Sequence, residues 1–270
     1  MKLWFAIAAV STAAVPARAE ILRTNGVELE YQVSGAGEPL LLLHGFGNCI
    51  EGSWGPLIPE LAKANRVIAV NMRGHGGSTN PSNRFTHAQS AEDVRSLLDH
   101  LNIPTARAIG FSSGGMTLLH LATRHPNRLS KMVVVGATTH FGDKARGILR
   151  SIASGPLPAP VRAEFDACAT RGKAQADALI GQFIAFKDSY NDMNFQPAGL
   201  KAIKAETLIV HGDRDDFFPV DIPVAMYGAI PKAQLWIVPG GYHEPTGGAS
   251  NAAFLETVGK FLAKPADSTR

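Results

Sequence analysis

Short apolar runs alternate with amphipathic stretches along the first half of this sequence. Leu40–Leu43 and Val67–Val70 are continuous apolar runs, which are typical of strands buried on both faces of a sheet. Helix-like stretches such as Leu57–Ala64 and Ser90–Leu101 lie between such runs, and the second opens with a pattern that resembles a capping box. The alternation predicts an α/β fold with a mostly parallel, twisted sheet and helices on both faces.

The alternation is interrupted at two places. Near the start, Asn25-Gly26 separates two strand-like runs, which is a strong signal for an antiparallel hairpin. From residue 138 to residue 200 the sequence shows helical pieces without a strand signal, and after residue 200 the alternation resumes. We therefore expect a core formed by residues 20–137 and 201–270, with a helical lid insertion at 138–200, called the cap below.

The N-terminal residues have the features of a secretory signal peptide. Lys2 precedes the apolar stretch Leu3–Val15, and Ala17-Arg18-Ala19 has small residues where a signal peptidase reads. The stretch is shorter than the roughly 20 residues that span a bilayer. We expect residues 1–19 to be removed near Ala19, which gives an exported protein, periplasmic or extracellular, without a stable membrane anchor. A buried N-terminal helix is the alternative.

Composition excludes several classes of function. Hydrophobic residues make up 45% of the chain, as in a globular protein, and the basic residues are scattered, so we expect no nucleic-acid partner. Cys49 and Cys168 are too few for a metal site, and we expect neither a metal nor an organic cofactor. In an exported protein these cysteines form either one disulfide or two free thiols, and the sequence leaves both open, as it does the oligomeric state.

The segment Gly110–Gly114 has the pattern G-x-S-x-G between a predicted strand and a predicted helix. In this context the pattern predicts a nucleophile elbow, a tight turn that holds Ser112 at an uncommon positive φ and exposes its hydroxyl. Gly110 and Gly114 lack side chains that would collide in such a turn. Ser113 is one place away from the centre of the turn, so its backbone N–H is the more useful group for chemistry.

At this point the chain resembles the α/β-hydrolase superfamily, in particular its small esterase, haloperoxidase-like and lipase-like members. The resemblance covers nearly the whole chain after residue 19. Besides the elbow, three segments carry it: His44–Gly47 resembles the HG oxyanion loop, residues 71–78 resemble the D-x-R-G-x-G-x-S segment, and His211–Pro219 is similar to the acid loop. Asn71 stands where the family has aspartate, at a position that is structural in the family.

The resemblance implies a Ser112, Asp215 and His243 triad in the chain order that this fold uses. Asp215 has the family spacing within the acid loop, with Asp213 in reserve, and His243 follows the last predicted strand. The backbone N–H groups of Phe46 and Ser113 are the expected oxyanion donors. We interpret His75, His120 and His125 as surface or packing residues, and His44 as structural.

These residues predict a serine hydrolase that cleaves small carboxylic esters or lactones through an acyl-enzyme. A serine nucleophile excludes haloalkane dehalogenases and epoxide hydrolases, which need a carboxylate in this fold. Three alternatives on the same fold remain: a C–C bond hydrolase, a perhydrolase of the haloperoxidase-like kind and an aminopeptidase. A receptor that binds a ligand without turnover is a fourth. The sequence does not identify the substrate or its chain length.

Overall fold

The computed structural model describes residues 18–245, 247 and 251–264. Within them an eight-stranded sheet has the order β1-β2-β4-β3-β5-β6-β7-β8. The strands are β1 (Ala19–Thr24), β2 (Val27–Ser34), β3 (Glu38–Leu43), β4 (Asn65–Val70), β5 (Ala106–Phe111), β6 (Leu129–Val135), β7 (Glu206–Gly212) and β8 (Ala233–Val238). Strands β3 to β8 pair in parallel, and β2 pairs antiparallel with β1 and β4. The mostly parallel α/β sheet expected from the sequence is confirmed.

Helices connect the parallel strands and cover both faces of the sheet. They are α1 (Ile50–Trp54), α2 (Ile58–Leu61), α3 (His87–His100), α4 (Ser113–Arg124), α5 (Asp143–Ala153), α6 (Ala159–Cys168), α7 (Lys173–Ala185), a 3-10 turn (Phe186–Asp188), α8 (Pro197–Leu200), α9 (Asp221–Ala229) and α10 (Asn251–Ala263). The segment between β6 and β7, where the cap is predicted, contains α5 to α8 and one isolated bridge between His140 and Asn194. The predicted boundaries of the cap, 138 and 200, remain a prediction.

The alternation of side chains in β3 shows how one strand supports two cores. Leu41 and Leu43 belong to the core beneath α3, α4 and α9, whereas Leu40 and Leu42 pack with α1, α2 and α10 on the other face. All four side chains are fully buried. A continuous apolar run is therefore required here, because both faces of a central parallel strand are covered.

Two helix predictions needed correction. The helix expected over Leu57–Ala64 is only the short α2, and α1 precedes it without having been predicted. Helix α3 begins at His87, three residues before the expected start, because the side chain of Thr86 accepts a hydrogen bond from the N–H of Gln89. Thr86 and Gln89 have the spacing of a capping box, so a better match lay just upstream of the predicted one.

The Asn25-Gly26 hairpin is confirmed, with both residues at positive φ (47° and 75°) between β1 and β2. Most of the predicted signal peptide lies outside the described residues, so its removal remains a prediction. None of the helices that the structure describes combines the length and the apolar character needed to cross a membrane.

Candidate active site

Ser112 lies at the turn between β5 and α4, at the carboxyl edge of the parallel strands. Its φ of 48° and ψ of −114° are strained for a residue with a side chain. A Cβ on Gly110 would come within 2.5 Å of the main chain of Gly114, and a Cβ on Gly114 within 2.2 Å of the carbonyl oxygen of Leu43. Only glycine fits at these two positions, as the sequence pattern predicts.

Two hydrogen bonds join Ser112, His243 and Asp215 in a line. The distance from Ser112 Oγ to His243 Nε2 is 3.0 Å, and that from His243 Nδ1 to Asp215 Oδ2 is 2.9 Å. His243 follows β8, and Asp215 follows β7, so the carboxyl ends of neighbouring strands bring the three residues together. The structure thus unites the three residues selected from the sequence, in a geometry suited to proton transfer.

The loop after β7 holds Asp215 in its ionised form. Oδ1 of Asp215 accepts hydrogen bonds from the N–H groups of Phe217 and Phe218, at 2.8 and 2.9 Å. Burial alone would raise the pKa of Asp215, but the hydrogen bond from His243 and these two N–H groups place that pKa below its ordinary value. Asp213 and Asp216, the other aspartates of the loop, are exposed to solvent.

The loop after β3 brings a main-chain donor close to Ser112. A Cβ on Gly45 would lie 3.7 Å from the Ser112 Cβ, and the N–H of the next residue, Phe46, donates to none of the described residues. Ser113 is the first residue of α4, where a helix leaves its N–H groups without acceptors. These two N–H groups are the oxyanion donors predicted from the sequence, and that role remains a prediction.

Two buried histidines support this loop, so His75 is not the surface residue that the sequence allowed. His75 Nε2 accepts the N–H of Gly47 at 3.0 Å, and His44 Nε2 accepts the N–H of Met72 at 3.0 Å. Both rings are fully buried. Burial lowers the pKa of His44 to about 4 and that of His75 well below its ordinary value, so each ring stays neutral and able to accept.

Asn71, the departure from the family pattern, has a structural explanation. Its Oδ1 accepts the N–H of Ile50 at 2.9 Å, and its side-chain amide donates to the carboxylate of Glu30. Glu30 also accepts the N–H of Gly77 at 2.7 Å. An aspartate at position 71 would place a second carboxylate against Glu30, so the amide suits this chain.

Above Ser112 lies a cavity of about 680 Å³, a size suited to a small organic molecule. Aromatic rings dominate its wall, and four of them come from the segment between β6 and β7. The lining phenylalanines are Phe46, Phe111, Phe141, Phe165, Phe183, Phe186 and Phe217. Phe195, from the same segment, packs instead on His120 with ring centroids 4.7 Å apart. The cavity therefore favours an apolar acyl or alcohol group.

A disulfide joins the loop after β3 to helix α6. Cys49 and Cys168 are bonded, which decides between the two alternatives that the sequence left open. Nearby, the Phe165 ring packs so closely on Gly47 that a Cβ there would lie 2.6 Å from it. Helix α6 is thus fixed both covalently and by packing to the loop that carries Phe46. No group of metal-binding side chains occurs in the part of the chain that the structure describes.

A second hydrogen-bonded chain lies beside the first, and the sequence did not indicate it. His87, at the start of α3, contacts Ser113 on one side and Asp192 on the other. His120 is also buried, and its Nε2–H donates to the backbone carbonyl of Asp192 at 2.8 Å, so it is not a surface residue either. No local pattern connects His87 with Asp192, because 105 positions separate them.

Comparisons with known proteins extend these observations. A family model described as the alpha/beta hydrolase fold matches residues 38–155. The chain is 30% identical over 260 residues to the 2-hydroxymuconate semialdehyde hydrolase of Pseudomonas sp. (strain CF600). That alignment covers 88% of this chain and 92% of the relative. It is 28% identical over 236 residues to the serine hydrolase BPHL of Homo sapiens, with 81% and 78% covered. An esterase from Rhodococcus sp. ECU1013 has a similar structure, with a TM-score of 0.72 and 25% identity over 93% of this chain and 99% of that one.

Proposed function

This chain belongs to the α/β-hydrolase family, and we propose that it hydrolyses carboxylic esters or lactones through an acyl-enzyme on Ser112. The observation that carries the proposal is the line of hydrogen bonds from Ser112 through His243 to Asp215, at the floor of an apolar cavity. Its membership of the family establishes a hydrolase of this fold, and the choice of ester is our inference.

In the proposed mechanism the Ser112 oxygen attacks the acyl carbon while its proton passes to His243 Nε2. Collapse of the tetrahedral intermediate breaks the ester bond, and His243 returns the proton to the leaving alcohol. Water then repeats the two steps on the acyl-enzyme and releases the acid. Asp215 keeps the hydrogen on Nδ1, which leaves Nε2 free to accept. The N–H groups of Phe46 and Ser113 stabilise the oxyanion, each worth about 3 kcal/mol of barrier.

The charges around the cavity favour substrates that are not anionic. Of the described residues that line it, the charged ones are Glu164, Asp216 and Glu244, all acidic, and Asp216 is paired with Lys144 at 3.3 Å. Lost hydration raises the pKa of Glu244, and the nearby carboxylate of Glu164 raises it further, so these two side chains repel a third negative charge. An uncharged ester or lactone fits this environment better than a carboxylate.

Hydrolysis of a C–C bond is the second candidate, because the relative at 30% identity is named for 2-hydroxymuconate semialdehyde. That name denotes a compound with a carboxylate group. No lysine or arginine is among the described residues that line the cavity, so nothing there pairs with such a group. We therefore place the ester first.

The test is hydrolysis of p-nitrophenyl esters from acetate to octanoate by the parent protein and by Ser112→Ala. We expect activity on the parent that is lost by a factor of at least about 10³ in the variant, and a chain-length profile that reflects the cavity. A fluorophosphonate probe should label the parent and not the variant. Parental activity in Ser112→Ala would contradict the assignment.

A matched pair of substrates separates the two candidates. p-Nitrophenyl hexanoate and the mono-p-nitrophenyl ester of adipate have the same chain length and differ in a terminal methyl against a terminal carboxylate, and we expect the uncharged ester to be preferred. The double variant Glu164→Gln with Glu244→Gln should narrow the difference in kcat/KM between the two esters, because two acidic side chains that line the cavity are then neutral. Turnover of 2-hydroxymuconate semialdehyde in preference to every ester would favour the C–C hydrolase.

We also propose that the protein is exported. The pattern of residues 1–19 supports this, and the Cys49–Cys168 disulfide is of a kind that persists in oxidising compartments. Expression of the whole chain in a bacterium, followed by N-terminal sequencing of the periplasmic fraction and the medium, should give a mature protein that starts at Glu20. Full-length protein confined to the cytoplasm would refute export.

A further inference from the structure

Ser113, His87 and Asp192 form a second serine–histidine–aspartate chain directly beside the first. The distance from Ser113 Oγ to His87 Nε2 is 3.0 Å, and that from His87 Nδ1 to Asp192 Oδ2 is 2.6 Å. The His87 side chain is fully buried, and that of Asp192 is 6% exposed. The proposed mechanism of ester hydrolysis uses none of these three side chains, so this arrangement needs a separate explanation.

Asp192 determines the direction of its own hydrogen bond with His87. Its carboxylate accepts the backbone N–H groups of His87 and Ala88, at 2.8 and 3.1 Å, at the start of α3. Burial would raise the pKa of Asp192, but the hydrogen bonds from His87 and these N–H groups lower it to about 2. An ionised carboxylate can only accept, so His87 Nδ1 donates to it, and Nε2 is the ring nitrogen that faces Ser113.

We assign the Ser113 hydroxyl as the donor to His87 Nε2, the direction that Ser112 has toward His243 in the first chain. The lone pairs of Ser113 Oγ then have no other hydrogen-bond partner among the described residues. Ser113 lines the cavity, although its surface is only 1% exposed, and its neighbours there include Met116, Phe141 and Phe186. A hydrogen-bond acceptor such as Ser113 Oγ, held in one direction within an apolar wall, orients a bound molecule.

Ser113 also sets where on the substrate the matching donor must lie. Its own N–H is the predicted oxyanion donor, so its Oγ is only a few bonds from the atom that holds the carbonyl oxygen. We propose that Ser113, fixed by His87 and Asp192, selects acyl groups that carry a hydroxyl or N–H group on the α- or β-carbon. This inference rests on the proposed ester hydrolysis and adds a substrate class to it.

Five matched compounds test the inference: ethyl butanoate, the two enantiomers of ethyl 3-hydroxybutanoate and the two enantiomers of ethyl 3-methoxybutanoate. The hydroxyl supplies a donor, whereas the methoxy oxygen can only accept. For the parent protein we expect kcat/KM for the better hydroxy enantiomer to exceed that for butanoate about three- to tenfold, as one hydrogen bond allows. The kcat/KM for the methoxy ester should be about equal to that for butanoate.

Two variants show whether Ser113 Oγ and its direction cause the preference. Ser113→Ala removes the oxygen and keeps the backbone N–H, so the hydroxy-to-plain ratio should fall to about one. His87→Phe keeps an aromatic ring against Phe85 and Phe186 but frees the hydroxyl to rotate, so the methoxy ester should now gain relative to butanoate. His87→Gln, whose amide can donate to Asp192 and accept from Ser113, should preserve the parental ratio.

The ratios are informative even where a variant loses stability, because a purely structural role lowers all rates together. A parental ratio near one, or a ratio unchanged in Ser113→Ala, overturns the inference while leaving ester hydrolysis intact. If no ester is hydrolysed, the proposed function fails. The same comparison is then made with butanamide and 3-hydroxybutanamide as protectors of Ser112 against the fluorophosphonate probe, where equal protection overturns the inference as well.

Discussion

The Cys49–Cys168 bond allows the most quantitative prediction. It closes a loop of 119 residues, and the chain-entropy model assigns about 4.9 kcal/mol of stabilisation to a loop of that length. At roughly 2 cal/mol/K of unfolding entropy per residue and about 250 folded residues, this corresponds to about 9 °C in Tm. Replacing both cysteines, as Cys49→Ser with Cys168→Ser, should therefore lower Tm by about that amount.

The assay is calorimetric unfolding of the oxidised parent, the reduced parent and the double variant. Reduction of the parent should produce most of the shift seen in the double variant, because both treatments restore the same freedom to the unfolded chain. The reductant should leave the Tm of the double variant unchanged, which controls for its other effects. A double variant that melts within 2 °C of the oxidised parent refutes the reasoning from chain entropy.

Three further changes test other parts of the structure. Asn71→Asp should lower the free energy of unfolding by about 1–3 kcal/mol in urea titrations, because a carboxylate replaces the amide that donates to Glu30. Gly110→Ala should abolish ester hydrolysis and lower Tm, because its Cβ would lie 2.5 Å from the main chain of α4. Lowering the pH from 7 to 5 should reduce the unfolding free energy by at least about 4 kcal/mol, because burial lowers the pKa values of His44 and His120 to about 4 and that of His75 well below its ordinary value. Their contribution is complete above pH 6.5 and declines below it, since the unfolded chain takes up protons that the folded chain rejects.

Each of these changes has a matched control. Glu30→Gln should relieve most of the cost of Asn71→Asp, and equal cost in both backgrounds would contradict the pairing. Gly147→Ala, in α5 with no atom within 4 Å of the new Cβ, should be neutral or stabilising, up to about 1 kcal/mol. His120→Gln keeps a donor for the Asp192 carbonyl without titrating, so it should remove about 2 kcal/mol of the loss between pH 7 and 5. A slope that stays the same would show that His120 is not responsible.

The sequence predicts the sheet well because its signals are local. A short run such as Leu40–Leu43, bounded by glycines, is typical of a strand buried on both sides, and Asn25-Gly26 is the strongest short signal for a hairpin turn. Helix starts were harder, because Thr86 and Ser90 both have the spacing of a cap and only one can be used. Thr86 is the cap that is used, since its side chain accepts the N–H of Gln89, whereas the buried Ser90 hydroxyl has no hydrogen-bond partner among the described residues.

The residues of the site also differ in whether a local sequence signal marks them. Ser112 was predicted because backbone strain demands glycines at fixed spacing. Asp215 and His243 were implied by the resemblance to the α/β-hydrolase superfamily, through the spacing of the acid loop and the place of His243 after the last strand. His87 and Asp192 carry no such signal, since one lies at the start of α3 and the other follows the 3-10 turn. Their meeting depends on how the segment between β6 and β7 folds back over the core, which no periodicity determines.

That segment contacts both predicted oxyanion donors by independent routes. Cys168 and Phe165 of α6 fix the loop that carries Phe46, and Asp192, through His87, fixes Ser113. A segment attached at both points cannot swing away as a unit without disturbing the residues that would bind the oxyanion. We therefore expect substrate to enter at the acidic edge of the cavity, where Glu164 and Glu244 are exposed, while the segment stays in place. A substrate would then meet the acidic side chains first, at the edge of the cavity, where anions are repelled. Its carbonyl would be aligned afterwards, by the oxyanion donors at the floor of the cavity.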